Sequence, residues 1–444
     1  KSVYEQIEKP LIPVLARMEA AGIGVDVERC KTIAEELGKA RKEAKERFFT
    51  ALAGPSDGTI DDSNFNINSN NQIAGLFEAL GAPLTKKTKA KQRMMVDAKA
   101  LQELLDCEWQ PEIIEPLMEY RKYIKLISYV IGFVELRGED GRLHTSFNQS
   151  GGWEERGDEG KAAPSTGRIS SSGPNLQNIP HHRARVADVD WGQKLRTCLT
   201  ASKGNVLLSV DLGQEEPRII AVVAKDAVLI DGFEKGKDIY RPATEALYPH
   251  TVMNGEDKEF RDKYDYERFV GKTFFLAWYY GAGAVRLRSL DKALTPAAIE
   301  RGLKLLTAAH PARNDYLTET TAMLAETGYV KSLCGRKRWI PKIWSGKKKE
   351  REEAVREAAN MRIQATAADI IKIALVRIDT ALVTAGLTSR LVLTVHDEVV
   401  LDVPGNELVE VNGIVRRSFD GLLPGMELTC EARVGETWAG YTKI

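Results

Sequence analysis

Two strand-like apolar runs, far apart in the sequence and each ending on carboxylates, constrain this chain most. The first is NVLLSV at 205–210, which leads into Asp211, with Gln214, Glu215 and Glu216 close behind. The second is Leu391–Val395, which leads into His396-Asp397-Glu398 and then Val399–Val403. Such runs read as strands, and two of them around a short polar turn read as a hairpin. Helical patterns fill the interval, at roughly 260–330 and 350–385. Strands on both sides of a helix-rich stretch predict an α+β body with an inserted helical domain.

An Asp at the end of a buried strand is held rigidly, as a metal ligand must be. Two such carboxylates brought together repel one another. A pair of divalent cations about 3.5–4 Å apart relieves that repulsion and can drive in-line phosphoryl displacement. The plainer reading is that each Asp only ends a strand, since Asp is common in turns.

Three further patterns bear on the choice. Arg268, Lys272, Leu276 and Tyr280 recur every four residues, so they share one helix face. Two cations one turn apart suit a polyphosphate, and an aromatic two turns on suits base stacking. Asn360 and Gln364 lie one turn apart in an Ala-rich helical pattern and could read minor-groove acceptors. The polar stretch from Thr166 to Pro180 holds Arg168, Asn175, Gln177 and Asn178, and is either a surface loop or a clamp on a nucleic-acid backbone.

Elsewhere the reading is local. Residues 1–20 predict a helix, as do 26–52 behind an Asp26 cap. Ser69-Asn70-Asn71-Gln72 has the capping-box pattern, with Gly81 closing that helix. The basic stretch from Lys86 to Arg93 is a solvated loop or a phosphate contact. Lys+Arg 63 balances Asp+Glu 63, so a polyanion must be met by a local surface. Five dispersed cysteines without a C-x-x-C pair read as reduced thiols of a cytoplasmic protein and against structural zinc. No apolar run reaches membrane-spanning length. The chain opens on Lys1 rather than Met, which suggests a fragment or a processed product.

In this order the motifs resemble those of family A DNA polymerases, the bacterial DNA polymerase I type. TGRISSSGPNLQNIP, SVDLGQEEPRIIA, RFVGKTFFLAWYYG and VHDEVV carry the resemblance. GRLHTSFNQ, GYVKSLCGRKRWIP and NMRIQATAADIIK add to it. The resemblance implies a right-hand polymerase fold of α+β class, with an antiparallel-sheet palm and helical thumb and fingers. Palm segments would be 1–20, 130–224 and 366–444, the thumb 21–129 and the fingers 225–365. It implies a template-directed DNA polymerase that adds deoxynucleotides to a primer 3′-hydroxyl, acting as a monomer on primer–template DNA. Asp211 and Asp397, with the Leu212 carbonyl, would hold two Mg²⁺ ions, for which Mn²⁺ can substitute, and Glu398 would support them. Arg268 and Lys272 would grip the incoming triphosphate, with Gln214, Tyr240, Leu276 and Tyr280 also at the nucleotide. Glu216 would exclude a ribose 2′-hydroxyl. Arg168, Asn175, Gln177, Asn178, Asn360, Gln364 and His396 would contact the primer–template.

The chain departs from the family pattern at Leu212 and Gly213, where Tyr and Ser are usual, and at Pro217, where Leu is usual. Pro217 is tolerable in the first turn of a helix. Leu276 replaces an aromatic, Tyr240 replaces a His, and 150–165 reads as an insertion. Residues 1–130 show no acidic cluster at exonuclease spacing, so no proofreading is expected from this chain. Use of RNA templates, or a DNA-binding protein without catalysis on the same fold, are the alternatives. Retention of Asp211, Lys272 and Asp397 argues against the latter.

Overall fold

The computed structural model describes residues 2–83, 94–149, 166–180, 185–186, 189–291 and 293–444. The basic stretch at 86–93 and the insertion at 150–165 lie outside the described residues. The apolar face of the first residues forms α1 (Lys9–Ala21), entered through a π turn at Tyr4–Glu8, and buries Leu11, Val14, Leu15 and Met18. Asp26 caps α2 (Val27–Ala53), accepting the Arg29 N–H at 2.9 Å. Helix α2 packs along α3 (Pro111–Glu135), with Ile33, Leu37 and Phe48 on one side and Ile113, Leu117 and Val130 on the other, all buried. Ser69 caps the Asn70–Ala79 helix, and Gly81, at φ +73°, ends it. Only half of the capping box forms there, because Gln72 Oε1 accepts the Asn66 N–H at 2.6 Å instead.

Strand β1 (Asn205–Leu212) turns directly into α4 (Glu215–Val223), where Pro217 occupies the first turn and so costs no hydrogen bond. The corner is tight. A Cβ on Gly213 would lie 2.7 Å from Thr429 Oγ1, so a larger residue there requires the Thr429 side chain to shift. The helical excursion includes α5 (Asp265–Tyr279), a hairpin of β2 (Tyr329–Lys331) and β3 (Lys337–Trp339), and the long α6 (Lys348–Thr384). The 260–330 pattern is not one helix. It is divided near Tyr264, at Tyr280–Gly283, and ahead of Pro296 and Ala312.

The chain then returns as β4 (Arg390–Val395), β5 (Glu398–Pro404), α7 (Leu408–Ser418), β6 (Cys430–Gly435) and β7 (Thr442–Lys443). The sheet order is β4-β5-β1-β6-β7, and every neighbouring pair is antiparallel. Consecutive strand residues face opposite sides. Leu207, Leu208 and Val210 of β1 and Val399, Val400 and Leu401 of β5 are all fully buried, so both faces of the sheet centre are covered. Among the described residues no helix is long and apolar enough to cross a membrane. The five cysteines form no disulfide.

Candidate active site

Antiparallel register sets the centre of the site. Asp211, at the end of β1, pairs across the sheet with Glu398 on one side and Glu431 on the other. Val395 pairs with Glu398, so His396 and Asp397 form the tip of a tight hairpin, with His396 held at φ +58°. That left-handed backbone is uncommon outside glycine and is tolerated by His more readily than by most residues. The Leu212 N–H donates to the Asp397 carbonyl at 3.2 Å, which fastens the hairpin tip to the end of β1. Asp211 and Asp397 thereby become neighbours.

Electrostatics follow from that placement. Burial, then the charges of Asp397 and Glu398, push the Asp211 carboxyl up to about 8, with Arg433 opposing. Burial also raises Asp397, and Glu398 adds to it, while its own backbone N–H, Arg168 and Lys272 pull the other way. At neutral pH the pair therefore favours a shared proton or an added cation. Hard oxygen donors of this kind suit Mg²⁺. Among the described residues no group of three or more His, Cys, Asp or Glu side chains is poised to hold a metal ion. Two carboxylates with a backbone carbonyl would leave further positions to water and phosphate oxygens, the usual way Mg²⁺ is bound. Glu398 is tied to the scaffold, accepting from Ser209 Oγ and, at 2.9 Å, from Trp438 Nε1.

A second cluster stands beside the first. Glu216 on α4 accepts from Arg168 at 2.9 Å and from the Tyr280 hydroxyl at 3.1 Å. One carboxylate thus joins the Thr166–Pro180 segment to the end of α5. Arg268 donates to the fully buried Asp238 at 2.5 Å, and its guanidinium lies over the Tyr240 ring at 5.3 Å. Lys272, one turn on, is exposed and within electrostatic reach of Asp397. Leu276 is half-buried against the core. Gln214 stands at the β1–α4 corner with φ +56°.

The expected nucleic-acid residues divide into two groups. Arg168, Gln177, His396 and Ala368 of α6 line one small crevice. Asn360 and Gln364 precede Ala368 by two turns and one turn, so they continue the same face of α6. Burial, then Arg168, lowers the His396 pKa and keeps the ring neutral. Asn175 and Asn178, and with them Gln177 of the crevice, make their contacts within the chain itself. Asn175 caps the Leu176–Asn178 turn by accepting the Asn178 N–H at 3.2 Å, the Asn178 carbonyl accepts from Tyr129, and Gln177 donates to the Thr394 carbonyl at 2.8 Å. Tyr240 is buried, its hydroxyl has no partner among the described residues, and its ring packs edge-on against Phe275.

Sequence reasoning missed three contributors. Asp238 holds Arg268 and Trp438 holds Glu398, and neither carries a local pattern that reveals it. Glu215 was readable as one acid among three. The structure buries it within electrostatic range of Asp397 and Asp211, and among the described residues its Oε1 has no partner.

Comparison with known proteins adds a family. Residues 27–440 match DNA polymerase family A. The chain is 32% identical over 443 residues to "DNA polymerase I, thermostable" of Thermus thermophilus, covering 98% of this chain and 48% of that protein. It is 33% identical over 442 residues to DNA polymerase I of Pseudomonas aeruginosa, covering 98% and 44%. The chain thus spans a little under half the length of these relatives. Among solved structures it is similar to the POL domain of Pol1 from M. smegmatis, in complex with DNA primer-template and dNTP. There the TM-score is 0.82 at 30% identity, covering 99% of this chain and 71% of that one. At that likeness the two share a fold, the α+β right-hand polymerase fold.

Proposed function

Because the chain belongs to DNA polymerase family A, we propose that it is a template-directed DNA polymerase that adds deoxynucleotides to a primer 3′-hydroxyl. The observation that carries this reading is the Asp211–Asp397 pair, locked side by side at the sheet end with Lys272 in electrostatic range. A protein that only bound DNA would need cations there, not two partly buried acids. In this reading the sheet with α1 is the palm (1–20, 130–224, 366–444), α2 and most of α3 belong to the thumb (21–129), with the last turn and a half of α3 entering the palm, and 225–365 is the fingers. The chain works as a monomer on primer–template DNA and does not proofread.

Asp211 and Asp397, with the Leu212 carbonyl, would hold two Mg²⁺ ions, or Mn²⁺ in their place. When bound, these ions supply charge neutralisation and Lewis acidity at the transferring phosphate. The other roles belong to the chain. Lys272 offers a free ammonium to the triphosphate, and Arg268 offers the edge of its guanidinium not spent on Asp238. Glu216, immobilised between Arg168 and Tyr280, forms a wall against a ribose 2′-hydroxyl. Tyr280 is positioned by the same carboxylate to meet a base. Arg168, His396, Asn360 and Gln364 face the primer–template. Asn175, Gln177 and Asn178 shape the loop that presents Arg168. Tyr240 supports the Arg268 guanidinium from below, which replaces the direct triphosphate contact expected from the resemblance. Leu276 and Gln214 border the nucleotide.

Primer extension with Mg²⁺ tests the reading. Only the templated deoxynucleotide should be incorporated, ribonucleotides should be refused, and Asp397→Ala should abolish extension. Duplex binding without extension by the unaltered chain would sink it.

A further inference from the structure

Between residues 328 and 349 the chain carries eight Lys or Arg and no Asp or Glu, within a sequence whose charges balance overall. The same segment holds Trp339 and Trp344, which are 58% and 59% exposed. Exposed aromatic surface is unfavourable in water, and large rings left open among cations mark an interaction surface.

The hairpin explains how the surface is built. Lys337 pairs across it with Lys331, and Trp339 pairs with Tyr329. The alternation of strand side chains puts these four on one face and Val330 on the other. Val330 is fully buried against Ile340, Ala358 and Met361, so the lysine–aromatic face points outward. The Trp339 and Tyr329 rings meet edge-on at 4.9 Å. Like charges directly across a hairpin are destabilising. Both ammonium groups lie near the Tyr329 ring, Lys337 at 4.6 Å and Lys331 at 5.6 Å, and among the described residues neither has a carboxylate partner. Trp344 extends the face. Its ring lies over Gly328, at φ +74°, where a Cβ would come within 2.4 Å of it.

The hairpin is fastened to α6, the helix that reaches the candidate active site at Ala368. Ser332 Oγ and Arg336 Nε both donate to Asp369 of α6 at 2.8 Å, and the Leu333 N–H donates to Thr366 at 3.0 Å. Arg338 pairs with Glu357 of the same helix. The hairpin therefore lies along α6 from Glu357 to Asp369, about 18 Å at about 1.5 Å per residue. That stretch carries Asn360 and Gln364. At its inner end the Arg336 side chain fills the space a Cβ on Gly167 would occupy, next to Arg168.

We propose that the outward face formed by Tyr329, Lys331, Lys337, Trp339 and Trp344 binds the single-stranded template ahead of the primer end. This rests on the polymerase reading above. The aromatic rings decide between single strand and duplex. Unpaired bases offer open faces for stacking, whereas duplex bases are already stacked on each other. The lysines supply phosphate contacts without sequence preference.

The test compares Kd for a primer–template with a 5′ template overhang of about twelve nucleotides against its blunt counterpart. Stacking contributes about 1–3 kcal/mol per base, so the overhang should tighten binding about tenfold or more. Trp339→Ala and the Lys331→Ala/Lys337→Ala pair should erase that gain and leave blunt-duplex affinity unchanged. Trp339→Phe should restore most of it. An overhang gain unchanged in these variants, or equal losses on both substrates, would overturn the proposal. Extension by one nucleotide on a short overhang is measured alongside. Loss of the overhang gain in the variants, with no extension by the parent chain, would leave the binding face standing and remove the polymerase reading.

Discussion

Glu215 buries a carboxyl beside two partly buried acids, and among the described residues one of its oxygens has no partner. Burial, then Asp397, raises its pKa well above the ordinary 4.5, opposed by Arg168. An unsatisfied buried polar group costs about 1–3 kcal/mol. Glu215→Leu should therefore stabilise the fold by about that amount in chemical denaturation. The sign with pH follows from linkage. Below 4.5 both folded and unfolded forms keep the proton, and above it only the folded form does, so stability falls as pH rises toward the folded value. The gap between the parent chain and Glu215→Leu should widen above pH 4.5 and be smallest in acid. A gap independent of pH would show that Glu215 is not held neutral. Single residues were unevenly legible in the sequence. Asp211 and Asp397 were readable because apolar strands end on them. Tyr240 was not, because the burial of its hydroxyl depends on Phe275 and Arg268, which only the fold brings together.

Glu8 governs how elements meet. It stands where the first turn enters α1, and accepts from Lys372 Nζ at 2.9 and 3.1 Å while pairing with Arg336. One carboxylate so joins the start of the chain, α6 and the hairpin turn. Lys372 is 1% exposed in its side chain, so removing the carboxylate strands a buried ammonium. Breaking such a pair costs about 3–5 kcal/mol. Glu8→Gln should lower unfolding free energy by about 3 kcal/mol. A change under about 0.5 kcal/mol would place the pair in the class of weak surface bridges. Element types were mostly legible from apolar periodicity and caps, as at Asp26 and Ser69. The break at Tyr264 was not, since the apolar pattern runs on through it, whereas Gly281, Gly283, Thr295-Pro296 and Pro311 mark the other breaks locally.

Across the whole molecule, a chain of zero net charge must gather its cations locally to hold a polyanion. The cations near the carboxylate pair and along the hairpin provide that concentration. Binding to primer–template should weaken about a thousandfold or more between about 50 and 200 mM salt if six or more phosphates are neutralised. A flat salt response would contradict a phosphate-binding cleft. The split sheet and its helical insertion were legible because the strand-forming runs lie on either side of the helical patterns. That Asp211 and Asp397 meet was implied by the family resemblance, whereas the pairing of β1 with β5 and its Asp211–Glu398 register needed the structure.

The central claim is that Asp211 and Asp397 form a catalytic pair and do not merely shape a DNA-binding surface. The direct measurement is the single-turnover incorporation rate, alongside primer–template Kd, for Asp211→Asn and Asp397→Asn. Loss of several kcal/mol of transition-state stabilisation predicts a fall in rate of about a thousandfold. Kd should stay unchanged or tighten, since each substitution removes a negative charge near DNA. Rates that persist in both variants, or a loss of rate fully explained by weaker binding, would contradict it.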